Sequence, residues 1–515
     1  MKTSFLNFRI IVCSIIIAGC TSNPENQTAN SHGRNMGGIG IPRGLTINSE
    51  DLTPGYILFN ASNSSLSYLV DRNGILVKQW KGNYRSGLSY LMDDGSIVRV
   101  SSDPDFTVFA GGGESGRLQK INWEGKMIWD YEFATEEYLN HHDIAIMPNG
   151  NILAIAWEAK TAYEARQVGR RPELMPEAGI WPDWVVEIEP QGRRGGRIIW
   201  EWHSWDHMIQ DYDPGLSNYG VLSQHPELID INAGLPLSEP ITQDSVDIRI
   251  AMGISRRNLT SANRGSDTHH SNAINYNVEL DQIAISVRRH SEIWIIDHGI
   301  TTEEAAGHEG GRYDKGGDLL YRWGNPQNYN RGDSTDQKLY FQHDVRWIEK
   351  GYPGAGNLTI FNNDIPGGPD SLNYSTVIEI TPPMEDNGDY IIVDGQSFGP
   401  VEPVWSYVAP DTISFFSSYI SGAQRMKNGN TLINSGAKGR FFEVTTEGEI
   451  VWEYLNQYRG DIRRLNGDPI PSGSNPYAQF RVTFIPADHP ALQDKDLKPL
   501  DPQPKINENE IEGLD

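Results

Sequence analysis

One phrase constrains the fold of this chain more than any other feature: a short apolar strand that ends in tryptophan and runs on into aromatic or acidic residues. It reads LVKQW to Trp80, GKMIWDYEF around Trp129, GRIIWEWHSW around Trp200, GDLLYRWG at Trp323, EPVWSYV at Trp405 and GEIVWEYL at Trp452. Most copies follow a second phrase, in which a polar start leads through a strand to a Gly-containing turn and another strand. Its copies are SGLSYLMDDGSIVRV, HHDIAIMPNGNILAIAWE, HHSNAINYNVELDQIAISV, QHDVRWIEKGYPGAGNLTIF and SGAQRMKNGNTLINSG, with tight-turn signals at Asn149-Gly150 and Asn428-Gly429. Between them lies a third strand such as WVVEIEP, SEIWIID, TVIEITP or RFFEVTT.

A unit of about four short strands cannot bury both of its faces alone, so the units must stack. Stacking around an axis gives the expected fold: an all-β, six-bladed β-propeller, with seven blades kept open and an open β-solenoid as the second architecture. The spacing is uneven. Trp80 to Trp129 is 49 positions and Trp405 to Trp452 is 47, but Trp200 to Trp323 is 123. Residues 206–266 lack the repeat and are expected to form a long insertion capping one face. YAQFRVTFIP, after the last repeat, has strand character and could close the ring against ILFN near the start. The propeller is assigned to residues 51–490 and the polar, acidic stretch 491–515 to a loosely packed tail.

The chain carries 14 Trp, 22 Tyr and 15 Phe, ample for a packed core. Its net charge of −25, with no basic cluster, disfavours a nucleic-acid partner. At the start, Lys2 and Arg9 precede an apolar run from Ile10 to Ile17 that ends in Ala18, Gly19 and Cys20. This has the pattern of an export signal over residues 1–20 that closes on a lipobox, so Cys20 is expected to carry a lipid. Residues 21–50 read as a flexible tether. The expected address is the cell envelope, on the periplasmic or cell-surface face of a bacterial membrane. Once the signal is removed, the folded body holds no disulfide and no thiol nucleophile.

Three units begin their first strand with histidine: His141 and His142, His269 and His270, and His343. In a propeller one repeat position from different blades converges on the axis. A lone histidine is usually a hydrogen-bonding residue, but three at one station point to a pocket. Converging imidazoles can ligate a metal, yet no HExxH-like spacing supports that; no metal or cofactor is expected. They can also act as nucleophile or general acid/base. Arg288, Arg289, Arg425 and Arg481 could supply the cationic forks that an anionic substrate needs.

The phrases HHDIAIMPNGNILAIAWE, THHSNAINYN followed by ISVRRHSEIWIID, FQHDVRWI, FNND and SGAQRMKNGNTLI, in this order, resemble the bacterial arylsulfate sulfotransferase family over roughly residues 50–500. The resemblance implies a six-bladed propeller outside the cytoplasm. It also implies transfer of a sulfuryl group from a phenolic sulfate ester to another phenol, through a sulfated histidine and without 3′-phosphoadenosine phosphosulfate. Carried over by position, His270 and Asn272 match the family's sulfate-binding His-x-Asn strand, His343 matches its Gln-His motif, and Arg288 falls in its Ser-x-Arg stretch. Two departures stand out. The arginine expected after the segment at FNND has no counterpart, and WSYVAPDTISFFSSYISGAQRM, where the nucleophilic histidine is expected, contains none. A hydroxyl of Ser417, Ser418 or Tyr419 would form a stable sulfate ester, so His142, His270 or His343 becomes the candidate nucleophile, with Arg425 a candidate replacement for the missing charge. The catalytic set is thus His270, His343 and His142, and the substrate-binding set is Asn272, Arg288 and Arg425. Two other readings are a polysaccharide lyase or hydrolase acting on anionic glycans, and a propeller that binds sulfated ligands without turnover.

Overall fold

The computed structural model describes residues 42–504 except 51, 63, 104, 107, 235–241, 245, 248–258 and 461–474. Residues 1–20 with Cys20, most of the 21–50 tether, the middle of the 206–266 insertion and the end of the acidic tail lie outside the described residues. Among the described residues no helix is long and apolar enough to cross a membrane.

The described chain is nearly all β, as the periodicity predicts; among the described residues helix is confined to short turns such as Ala162–Gln167 and Thr302–Ala305. Its strands form successive antiparallel sheets. Tyr138–Ile146, Ile152–Glu158, Asp183–Gln191 and Gly195–His203 make one, and Ser271–Asn277, Gln282–Val287, Glu292–Asp297 and Tyr321–Trp323 the next. His343–Trp347, Leu358–Ile365, Tyr374–Ile380 and Trp405–Tyr407 make a third. In the fourth, Gly422–Arg425, Thr431–Ser435, Arg440–Val444 and Ile450–Leu455 are joined at the outer edge by Gly44–Asn48. A seven-stranded sheet runs from Val482–Pro486 through Gly55–Phe59 and Ser64–Asp71 to Met127–Glu132, and the 16-residue strand Leu76–Leu91 lies in its middle. The first half of that strand pairs with Ser64–Asp71 and the second half with Ile97–Ser102. Val482–Pro486 pairs in register with Gly55–Phe59, so the end of the described chain is hydrogen-bonded to its beginning.

The Asn-Gly signals sit in tight turns. Gly150 (φ +87°) and Gly429 (φ +92°) adopt left-handed backbone conformations that a Cβ would strain. Apolar faces of sequence-adjacent sheets interdigitate, as where Ile155, Val185 and Trp202 meet Ile274, Ile285 and Trp294. Phe441 and Trp452 likewise meet Ile57 and Tyr68, joining the last sheet to the first.

The recurrent tryptophans have a common task. Each donates its indole N–H to a backbone carbonyl: Trp80 to Asn122 (3.2 Å), at the far half of its own seven-stranded sheet, and the others to a carbonyl in or beside the next sheet along, Trp129 to Gly195 (2.8 Å), Trp200 to Ile300 (2.9 Å), Trp323 to Pro400 (2.9 Å), Trp405 to Thr446 (2.8 Å), and Trp452 back to Arg72 (2.8 Å). A large apolar body with one donor at its rim suits this position: it fills the space between sheets and satisfies an otherwise solvent-facing carbonyl.

The first strands of the sheets pack side by side: Ser271–Asn277 lies against both Tyr138–Ile146 and His343–Trp347, and the latter against Gly422–Arg425. This adjacency positions the site. Of the expected insertion, Met208, Ile229 and Ile231 join the apolar cluster between the Gly195–His203 and Glu292–Asp297 sheets. Met208–Ile209 pairs in parallel with Ile229–Asp230, and the Trp181 N–H bonds the Ser266 carbonyl (2.6 Å).

Candidate functional site

Where the first strands start, their ladders are irregular. Register shifts interrupt the pairing between Asn140 and Ile144, between Ser271 and Ala273, and between His343 and Val345. Such bulges re-aim side chains and are common beside functional sites. His142 and His270 both sit at φ 55°, in the left-handed region, a conformation of order 1–3 kcal/mol above the usual wells that the surrounding structure must hold in place. The result brings together histidines far apart in sequence. The rings of His142 and His270 meet edge-on with centroids 4.5 Å apart, and Phe480 lies 5.9 Å from His142 and 6.4 Å from His343.

Two carboxylate-backed arms hold this pair. In the first, Asp267 accepts the Nδ1–H of His270, the His270 backbone N–H (3.0 Å) and the Trp157 indole N–H (3.1 Å). With the proton on Nδ1, the lone pair of His270 lies on Nε2, which has no hydrogen-bond partner among the described residues. In the second arm, His142 Nδ1 and His141 Nδ1 are 2.8 Å apart, and His141 Nε2 lies 3.2 Å from Asp183 Oδ1, out of line for a hydrogen bond. That carboxylate favours a proton on His141 Nε2, which makes His142 the Nδ1 donor and leaves its Nε2 basic too. Trp157 ties the arms together, stacked on His141 at 4.3 Å while bonded to Asp267.

The loop Gly111–Gly113 closes one side. A Cβ on Gly113 would fall 2.3 Å from the His142 ring, on Gly112 3.3 Å from His270 Cε1, and on Gly111 2.8 Å from Trp157. Only glycine lets the backbone lie this close to the rings.

Burial lowers the His270 imidazole below its ordinary range; Arg288 and Arg289 add to this, against the opposing pull of Asp267. Burial, reinforced by His270, His141 and His343, holds His142 well below that range. For Asp267 burial acts upward, but the charge and hydrogen bond of His270 outweigh it and keep the carboxylate ionised. Arg288 is lowered to about 10 by burial and by Arg289, so it stays cationic at neutral pH. Its guanidinium rests 4.9 Å from the Phe341 ring, and its charge acts on His142, His270 and His343 alike.

The other expected site residues are placed differently. His343 is near the pair, but both its nitrogens are engaged: Nε2 accepts the Ile420 N–H (3.1 Å), so the proton is on Nδ1 and is donated to Asn363 Oδ1 (2.8 Å). Asn272 is fully buried, and its amide donates to the Gln342 carbonyl (2.8 Å), which makes it a link between strands. Arg425 does not join the histidines. It pairs with Glu379, donates to the Gly429 carbonyl (2.6 Å) and rests over Trp405, so it does not replace the missing charge. Ser417 is buried in a hydrogen-bonded corner with Ser421 and Ala437. Arg481 is buried beneath the histidines, paired with Asp344 and 3.6 Å from Asp143. Sequence reasoning missed Asp267, Asp183, Trp157 and the glycine loop. The signals for two of them were present: an acid three residues before His270, and three glycines in a row.

Structural similarity to solved proteins is distant. A Bacteroides caccae protein of unknown function aligns at 11% identity and TM-score 0.41, covering 79% of this chain and 95% of its own. A Staphylococcus aureus virginiamycin B lyase aligns at 9% identity and TM-score 0.33, covering 81% and 89%. No curated protein matches the chain. The profile of the arylsulfotransferase (ASST) family matches residues 45–462, a span that takes in the strands carrying His142, His270 and His343, and on that match the chain belongs to the arylsulfotransferase family.

Proposed function

We propose that this protein moves a sulfuryl group from a phenolic sulfate ester to a phenol acceptor, without 3′-phosphoadenosine phosphosulfate. In this reading it is a six-bladed propeller held to the cell envelope by a lipid on Cys20. The seven-stranded sheet counts as two blades that share Leu76–Leu91, and the cyclic run of tryptophan hydrogen bonds supports that count. The run of residues from Lys2 to Cys20 supports the anchor.

The observation that carries the reaction is the Asp267–His270 arm, in which His270 Nε2 has no hydrogen-bond partner among the described residues and the His270 ring meets the His142 ring edge-on. His270 Nε2 attacks sulfur; the S–O bond to the aryl group breaks and phenoxide leaves. The imidazole then bears positive charge, which Asp267 stabilises through the Nδ1–H it already holds. In the second half the acceptor oxygen attacks the same sulfur, the N–S electron pair returns to Nε2, and the phenol proton passes to His142 Nε2 and from there to solvent, which protonates the phenoxide released in the first half. Arg288 supplies positive charge for the sulfuryl oxygens.

Incubation with a chromogenic aryl sulfate tests this. Release of the aryl group is expected to depend on added phenol, and peptide mass analysis should locate a sulfated His270. Full turnover by His270→Ala, or unsaturated sugar ends from an anionic glycan without sulfuryl transfer, would overturn it.

A further inference from the structure

We propose that His207, His308 and Asp318 form a binding site for a divalent transition-metal ion of the zinc class, separate from the histidine pair. The His207 Nδ1 lies 2.7 Å and the His308 Nδ1 2.8 Å from the same Asp318 Oδ1. Bonds of about 2.0–2.2 Å at a tetrahedral angle set ligand atoms about 3.3–3.5 Å apart, so an outward shift of about half an ångström lets one small cation take all three.

The hydrogen-bonding pattern points the same way. The Nε2 of His207 faces the Ala305 carbonyl at 2.9 Å, and a carbonyl only accepts, so that nitrogen carries the proton. Neutral His207 therefore turns a bare lone pair on Nδ1 toward a carboxylate oxygen. Two acceptors at that distance repel, and the second imidazole aims at the same oxygen. A cation between them removes the conflict. An imidazole that ligates through one nitrogen and donates the other N–H to a backbone carbonyl is the usual support of a metal-bound histidine.

The surroundings hold the ring in this pose. His207 is buried and stacks on Trp202, with centroids 5.5 Å apart and planes 6° from parallel, and the Trp202 indole donates to the Gly317 carbonyl (2.6 Å). A Cβ on Gly317 would come within 2.1 Å of the Ala305 oxygen and 2.8 Å of the His207 ring, so the residue before Asp318 must be glycine for the two to approach. The His308 side chain is 57% exposed, which leaves an opening for the ion and a position for water. Two imidazoles and one carboxylate suit zinc and its first-row neighbours better than magnesium or calcium. His207 lies 111 positions from Asp318, so the ion would pin the start of the long insertion to the turn after Thr302–Ala305.

The test is zinc titration by calorimetry of the full chain, free of any polyhistidine tag and freed of metal by a chelator. The expected result is one zinc per chain at micromolar Kd or tighter, a rise in Tm on adding zinc, and at least tenfold weaker binding in both His308→Ala and Asp318→Asn. His308 is exposed, so its variant should still fold. Absence of stoichiometric zinc binding, or unchanged affinity in either variant, would make the trio an imidazolium–carboxylate cluster and overturn the proposal.

Discussion

His270 lies just before one first strand and His343 begins the next; His270 is partly exposed and His343 buried, and both are flanked by hydrogen-bonding partners, yet they present different chemistry. His270 is held from behind by a carboxylate, which fixes the tautomer and leaves Nε2 without a hydrogen-bond partner among the described residues. His343 is held from both sides, by Asn363 and by the Ile420 N–H. The Asn363 amide is itself spent on the Ser417 (2.7 Å) and Ile420 (2.9 Å) carbonyls, so this histidine anchors the 417–421 turn. What distinguishes the two imidazoles is the set of partners around them, which under the proposed reaction makes one the nucleophile and the other an anchor.

The largest effect is expected from His270→Ala, which removes the proposed nucleophile: kcat/KM for aryl sulfate should fall at least about 10³-fold. Asp267→Asn should cost about 10²-fold, because the amide can neither fix the tautomer nor stabilise the imidazolium. In that variant the acid limb of the rate profile should also move to lower pH, since a removed anion makes imidazole protonation harder still. His343→Gln should cost less than about tenfold, with the loss traced to a displaced 417–421 turn. A loss equal to that of His270→Ala, measured in the same assay, would erase the distinction drawn here.

The smallest expected effect is in stability. A histidine buried in its neutral form has a folded pKa below the unfolded value near 6.5, so the stability it confers is complete above about pH 6.5 and declines as pH falls toward the folded value. His343 is lowered well below its ordinary range by burial, with Arg288 reinforcing it, whereas His270 keeps the opposing pull of Asp267. Replacing His343 by Gln should therefore flatten the acid loss of unfolding free energy by up to about 1.4 kcal/mol per pH unit below 6.5. Replacing His270 by Gln should flatten it over a narrower window. Denaturant melts between pH 4 and 7 would show whether the two differ in this order.

Much of the architecture was legible. The Trp phrase marked the strand that faces the next sheet, because only a wide apolar ring with a donor at its edge both fills that gap and bonds the carbonyl beyond it. The polar starts marked the first strands, and the closing strand near Val482 was visible from its pattern and paired where expected. Within the site, legibility was partial. His142 and His270 meet, but Asn272 and Arg425 have the right chemistry for an anion and the wrong surroundings: one is consumed between strands, the other by Glu379. Asp267 was overlooked because an acid near a histidine is common in sequence and acquires meaning only when its oxygen lines up with Nδ1.

The sequence by itself determined the period, the strand type and the choice of histidine at recurring stations, since these depend on alternation, turn residues and spacing along the chain. Only the tertiary structure decided which nitrogens remain available, because that depends on hydrogen bonds between residues tens to hundreds of positions apart, and one backbone N–H or one carboxylate oxygen in line with a ring is enough to settle its role.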